Sequence, residues 1–208
     1  MSAGVGATGD YVESLVLPER SATAIDPAFA PMLQDLRQRF PAYSTEKLIL
    51  IDATRQELIL IEQGQATRRW LISTAEAGIG SKKGSNKTPL GVHRIAKTYG
   101  DGAPLGTIFK ARQNTGRRAK ILTQPGQRSR ADNVTTRILW LDGLEPSLNK
   151  GGNVDSFERY IYIHGTDEEG RLGAPASHGC IRMSNQAVIE LFERVGVDTL
   201  VVIAQHKS

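Results

Sequence analysis

A single cysteine in 208 residues leaves no partner for an internal disulfide, and it says nothing of redox compartment. No apolar run approaches the ~20 residues of a membrane-spanning helix. The first thirty residues carry Asp10, Glu13, Glu19 and Asp26 but no early basic region and no apolar stretch, so no secretory signal is visible. Aromatic residues make up only 6% of the chain, too few to offer much base stacking, and no nucleic-acid-binding motif is present. Nucleic acid is therefore not the expected partner. From Gly102 to Ala131 there is no acidic residue, yet Lys110, Arg112, Arg117, Arg118, Lys120, Arg128 and Arg130 fall there. Such a run reads first as a solvated, irregular excursion; the competing reading is a surface that draws carboxylate-rich or phosphate-rich polymer.

What is present is ordinary for a globular chain: 39% hydrophobic and 23% charged residues, with a formal net charge of +4. The length suits one domain with an extension and is sufficient to bury a core. Twenty-one glycines imply many turns and favour β structure over a helical bundle. There is no internal repeat, and the sequence sets no oligomeric state.

Residues 1–25 lack periodicity and read as an extension. Asp26-Pro27 has the form of a helix cap with proline behind it, and Phe29, Met32, Leu33, Leu36 and Phe40 are spaced for one apolar face before Pro41 stops the helix. Residues 1–44 are thus expected to be an extension with one short helix, and 45–208 the main domain. Leu48–Asp52, Glu57–Glu62 and Thr67–Ser73 read as an antiparallel meander with short turns. Their runs of four apolar residues imply strands covered on both faces, as in a sandwich or closed barrel. Strands are also expected at Val92–Ala96, with His93 as a structural histidine, at Thr135–Leu141 with Trp140 in the core, and at Thr199–Ala204. Ser184 has the form of an N-cap, with Val188, Leu191, Phe192 and Val195 on one helical stripe and Gly196 closing it. The expected class is mainly β, an antiparallel sandwich or barrel with a few short helices.

Two segments carry chemistry. In Ser177-His178-Gly179-Cys180-Ile181-Arg182-Met183 the lone thiol has histidine two positions before it and arginine two after. In extended backbone His178, Cys180 and Arg182 would share a side, where the histidine and arginine could bias the thiol toward thiolate. Gly179 would allow close backbone approach. Upstream, Tyr160 to His164 alternates as a strand, with Tyr160, Tyr162 and His164 on one face, Ile161 and Ile163 toward the core, and Gly165 breaking the pattern. His164 is then placed as a general base. Bland readings stand beside these: a buried small hydrophobe for the cysteine, a surface histidine for His164.

His164-Gly165-Thr166 followed by Ser177–Met183 resembles the signature of the L,D-transpeptidase family, the YkuD-like domain. Lys87-Thr88-Pro89-Leu90-Gly91 resembles its Thr-Pro-x-Gly segment, and Ser73-Thr74 its Ser-Thr-Gly turn, with Ala75 in place of the glycine. The resemblance spans roughly residues 46–204. It implies a mainly β YkuD-like fold acting on peptidoglycan stem tetrapeptides through a thioester on Cys180, with His164 as base and the carbonyl of Gly165 orienting its ring. Backbone N–H groups at Gly179 and Cys180 would form the oxyanion hole, with Ser177 and His178 in support. Arg182 would pair with a substrate carboxylate or brace the loop. The resemblance implies no cofactor, sensitivity to carbapenems, and transfer of the acyl group to an amine; water as acceptor would make a carboxypeptidase. It also implies the periplasm or cell envelope, whereas the absence of a visible signal leaves the cytoplasm open. Two further readings remain: a zinc site of His164, His178 and Cys180 with Asp167 or Glu168, and a wall-binding module that does no chemistry.

Overall fold

The computed structural model describes residues 15–16 and 27–205. Most of the expected extension, 1–25, and the capping role of Asp26 lie outside the described residues. Leu15–Val16 forms a short strand, β1, where the sequence suggested no element. Helix α1, Ala30–Arg39, begins after Phe29 and ends at Phe40, one residue before Pro41. Its apolar face, with Phe29, Leu33 and Leu36 buried, lies on Leu48, Ile59, Ile61, Val92 and Leu200 of the sheet. Burying each leucine is worth roughly 1.5–3 kcal/mol.

The strands are β2 (Lys47–Asp52), β3 (Glu57–Glu62), β4 (Gln65–Ser73), β5 (Gly91–Tyr99), β6 (Thr107–Lys110), β7 (Gln113–Arg118), β8 (Val134–Gly143), β9 (Tyr162–Thr166), β10 (Ile181–Met183) and β11 (Leu200–Ala204). They pair in the order β5-β11-β2-β3-β4-β10-β9-β8, and a β5–β8 ladder joins the two ends into a closed ring of eight. Closure leaves no bare edge along that ring. The β6–β7 hairpin extends from β8, and β1 pairs with β4.

Double-sided burial explains the unbroken apolar runs. Ile49, Ile51, Leu58 and Leu60 point into the main core with Trp70, Ile72, Leu139, Leu141, Ile163 and Ile203. Their alternates Leu48, Ile59 and Ile61 lie under α1. The second helix, α2 (Asn185–Arg194), is capped as its sequence implies: the Ser184 hydroxyl accepts from Ala187 N–H at 3.2 Å. Its C-terminus differs from expectation, because Val195 in extended backbone ends the helix and Gly196 adopts no left-handed conformation.

Three local expectations are corrected. The sheet is not wholly antiparallel: β9–β10 and β11–β2 are parallel pairs. The basic segment is not simply an irregular excursion, since β6 and β7 make a hairpin within it. β7 reads Gln-Asn-Thr-Gly-Arg-Arg, an edge strand with no apolar alternation to reveal it. The cationic side chains of this segment, Arg112 apart, are exposed. Finally, β9 begins at Tyr162, not Tyr160, and runs through Gly165 to Thr166. Tyr160 sits at φ +56 and is 51% exposed.

Candidate active site

The parallel register of β9 and β10 sets Ile181 against Ile163 and Arg182 against His164. Alternation sends Ile163, Ile181 and Met183 into the main core. The opposite face carries Tyr162, His164 and Arg182. Cys180 stands just before β10 and packs beside a second cluster of Phe109, Ile138, Trp140 and Tyr162.

The half-buried Cys180 thiol donates to the carbonyl of Tyr160 at 3.3 Å and accepts from Tyr162 N–H at 3.4 Å. Burial pushes it up to about 11, against the pull of the Tyr162 N–H, Arg182 and Arg159. The expected bias toward thiolate is therefore not the resting state. His164 is buried, and its Nδ1 lies 2.7 Å from the carbonyl of Gly165. A carbonyl only accepts, so Nδ1 carries the hydrogen and Nε2 keeps a lone pair. Burial lowers this imidazole to about 4. Near neutrality both groups rest uncharged, as thiol and neutral imidazole.

Gly165 is glycine for a steric reason. A Cβ there would meet Thr135 O at 2.7 Å and Asn185 Oδ1 at 2.9 Å. Opposite it the β8–β9 register slips between Thr135 and Ile138, with Thr136 at φ +67, a bulge of the kind that re-aims side chains beside sites. Asn185 ties this bulge down. Its Oδ1 accepts from Thr135 Oγ1 (2.6 Å) and Thr136 Oγ1 (2.5 Å), while Nδ2 donates to Thr166 O (2.8 Å) and Glu169 Oε1 (2.7 Å).

The turn before the cysteine is built by Ser177, whose hydroxyl donates to Cys180 O at 2.5 Å and accepts from Gly179 N–H at 3.2 Å. Gly179 sits at φ +135, a region open chiefly to glycine. Its N–H is thus engaged, and among the described residues Cys180 N–H has no partner. Thr88 joins the separate motifs: its hydroxyl accepts from Ala75 N–H and donates to Gly179 O, both at 2.9 Å. Ala75 needs no left-handed backbone, so alanine is accommodated there.

His178 does not flank the thiol as the extended reading had it, whereas Arg182 is near enough to pull on it. The turn at Gly179 breaks the alternation, and the His178 side chain is 71% exposed with Nδ1 2.8 Å from Asp132. Arg182 is buried and doubly paired, with Glu168 at 2.8 Å and Asp132 at 2.6 Å. Both pairings tie the guanidinium to the protein's own acids. Burial pushes Glu168 up, but the Ser129 N–H, Arg171 and Arg182 together hold it below the usual carboxylate range. Asp167 accepts from Asn133 N and Nδ2. The acids once considered for zinc are thus engaged elsewhere, and among the described residues no cluster of three or more His, Cys, Asp or Glu is arranged for a metal. His93 is structural, buried between Gly91 O and Ser156 Oγ.

Sequence reasoning missed Asp132, Asn185, Arg112 and Arg159. Arg112, at the hairpin tip with φ +67, lays its guanidinium 4.7 Å from the Trp140 ring and 5.3 Å from that of Tyr160, and donates to Tyr162 Oη at 3.1 Å. Its only advance signal was its place in the acid-free run.

Several known proteins are similar to this chain. The Bacillus subtilis (strain 168) protein YqjB, which bears an L,D-transpeptidase name, is 35% identical over 91 residues, 39% of this chain and 52% of that protein. Among solved structures, an L,D-transpeptidase from Mycobacterium smegmatis shares 15% identity, with 76% of this chain and 58% of that chain covered at TM-score 0.46. An L,D-transpeptidase solved in complex with imipenem shares 15% identity, with 76% and 59% covered at TM-score 0.45. The chain thus spans little more than half the length of these relatives. The L,D-transpeptidase catalytic domain (YkuD) sequence pattern matches residues 46–203, and by that match the chain belongs to this family.

Proposed function

We propose that the chain is a cysteine-dependent L,D-transpeptidase that joins peptidoglycan stem peptides in the cell envelope. The observation that supports this is the parallel register of β9 and β10, which puts Cys180, at the head of β10, against Tyr162 N–H on the strand that carries His164, whose ring is held by the Gly165 carbonyl. Sγ attacks the carbonyl carbon of the third residue of a tetrapeptide donor as His164 Nε2 takes the thiol proton. The tetrahedral oxyanion is met by Cys180 N–H, a donor with no partner among the described residues. Collapse breaks the amide bond, the departing D-alanine amine takes the proton from His164, and a thioester remains. An amine of a second stem peptide then attacks, His164 accepts its proton, and the thiol is restored. Ser177 holds the turn, and the Asp132-Arg182-Glu168 chain braces it. No step draws on a metal or cofactor.

Intact-protein mass after incubation with a carbapenem tests the nucleophile. The expected result is one adduct on the native chain and none on Cys180→Ala. An unmodified native protein would refute the reading. Muropeptide products then separate amine transfer from hydrolysis, the carboxypeptidase outcome.

A further inference from the structure

Among the described residues the half-buried Arg159, near Cys180, has no carboxylate partner. Arg94, Arg171 and Arg182 each meet an acidic side chain. Among the described residues Arg159 meets none: its guanidinium donates only to the carbonyls of Lys87 at 2.6 Å and Gly80 at 3.4 Å. A guanidinium has five N–H donors, and a planar fork of them matches a carboxylate, so three are left without a protein acceptor among the described residues. Holding a half-buried charge without a counter-ion is costly, and such a group is kept where an anion arrives.

The position is specific. Arg159 precedes Tyr160, whose carbonyl holds the Cys180 thiol. The Lys87 carbonyl it grips would lie 3.5 Å from a Cβ on Gly179, the residue before the nucleophile. Burial depresses the guanidinium, and a Cys180 thiolate would act on it in the opposite sense. Arg112 is the other cation nearby without an acidic partner, but its faces and one donor are already seated on Trp140, Tyr160 and Tyr162 Oη. Arg182, the sequence candidate, is neutralised by Glu168 and Asp132.

We propose that Arg159 is the specificity residue that receives a carboxylate of the acyl-donor peptide next to the scissile bond. This rests on the acyl-transfer reading for its biological substrate, but its test does not require turnover. Cys180 of the full chain is alkylated with iodoacetate and, separately, with iodoacetamide, and the two rates are read by intact mass. The anionic-to-neutral rate ratio should fall about tenfold or more in Arg159→Gln, the loss expected for a charge-assisted contact, and by less in Arg159→Lys. Arg117→Gln removes an exposed charge from the β6–β7 hairpin and should leave the ratio within twofold of native. A ratio within twofold of native in Arg159→Gln overturns the proposal, as does an equal fall in Arg117→Gln or a larger one in Arg112→Gln. Should Arg159→Gln fail to fold by circular dichroism, the native protein decides: N-acetyl-D-alanine should protect Cys180 from iodoacetamide and its carboxamide should not, and equal protection by both, or none, overturns it. Loss of the ratio effect with muropeptide turnover intact removes this proposal alone; the reverse removes the transpeptidase reading alone.

Discussion

If Cys180 rests as a thiol, its alkylation by iodoacetamide should keep climbing with pH after an ordinary cysteine has levelled off. A thiol at about 11 instead of 9.0 holds about one hundredth of the thiolate at about pH 8 and below. The more basic thiolate is intrinsically the better nucleophile, with a Brønsted slope of about 0.4–0.5, and this recovers roughly six- to tenfold. The net expectation is a rate at pH 7.5 about tenfold below that of an unstructured cysteine peptide, rising with unit slope to about pH 10. The structural cause is burial against Trp140 and Tyr162, with Arg182 already neutralised by Glu168 and Asp132. His164→Gln should leave this profile unchanged, because a neutral imidazole does not acidify the thiol, while acyl transfer falls by about 10²–10⁴-fold through loss of the base. The assay is alkylation rate by intact mass from pH 5 to 10.5 on both proteins. A plateau below pH 8 that disappears in His164→Gln would mean a thiolate–imidazolium pair at rest and would refute the reasoning.

Acid should destabilise the fold through its buried histidines. His93 and His164 fall from 6.5 to about 4 on burial, so the unfolded chain takes up their protons first; their contribution is complete above pH 6.5 and is lost as pH falls toward 4, by up to ~3 kcal/mol each. Denaturant midpoints between pH 7 and 4.5 should drop accordingly, with a shallower fall in His93→Gln; equal slopes would contradict the assignment. Asn185→Ala should cost roughly 3 kcal/mol or more, since the Thr135 and Thr136 hydroxyls and the Thr166 carbonyl lose a buried partner together. Chemical denaturation with an unchanged m-value measures it, and a loss below about 1 kcal/mol would show that the cluster re-pairs.

The difference between what could and could not be read in advance follows the range of the interactions. Strands β2, β3 and β4 were legible because their apolar runs and short turns are local, and the closed ring only had to supply the second covering layer. The Ser184 cap was legible for the same reason, donor and acceptor lying within three residues of each other, whereas the His164–Gly165 contact was expected only from the family resemblance. Parallel pairing of β9 with β10 was not, because nothing in either strand encodes the direction of its neighbour. Charge shows the contrast most clearly. Arg182, two residues from the thiol, could be read as the substrate's partner or as a brace, and the sequence did not show that its counter-ions are Asp132 and Glu168, 50 and 14 residues away in the chain. Arg159 is twenty-one positions before the cysteine and carries no motif, yet folding brings its guanidinium onto the loop at Lys87 that backs Gly179, with no acid against it among the described residues. A sequence displays each charge but not its neutralisation, which is a tertiary property. The residue left unneutralised beside a nucleophile is therefore where substrate recognition should be sought, and proximity in sequence is a poor guide to it.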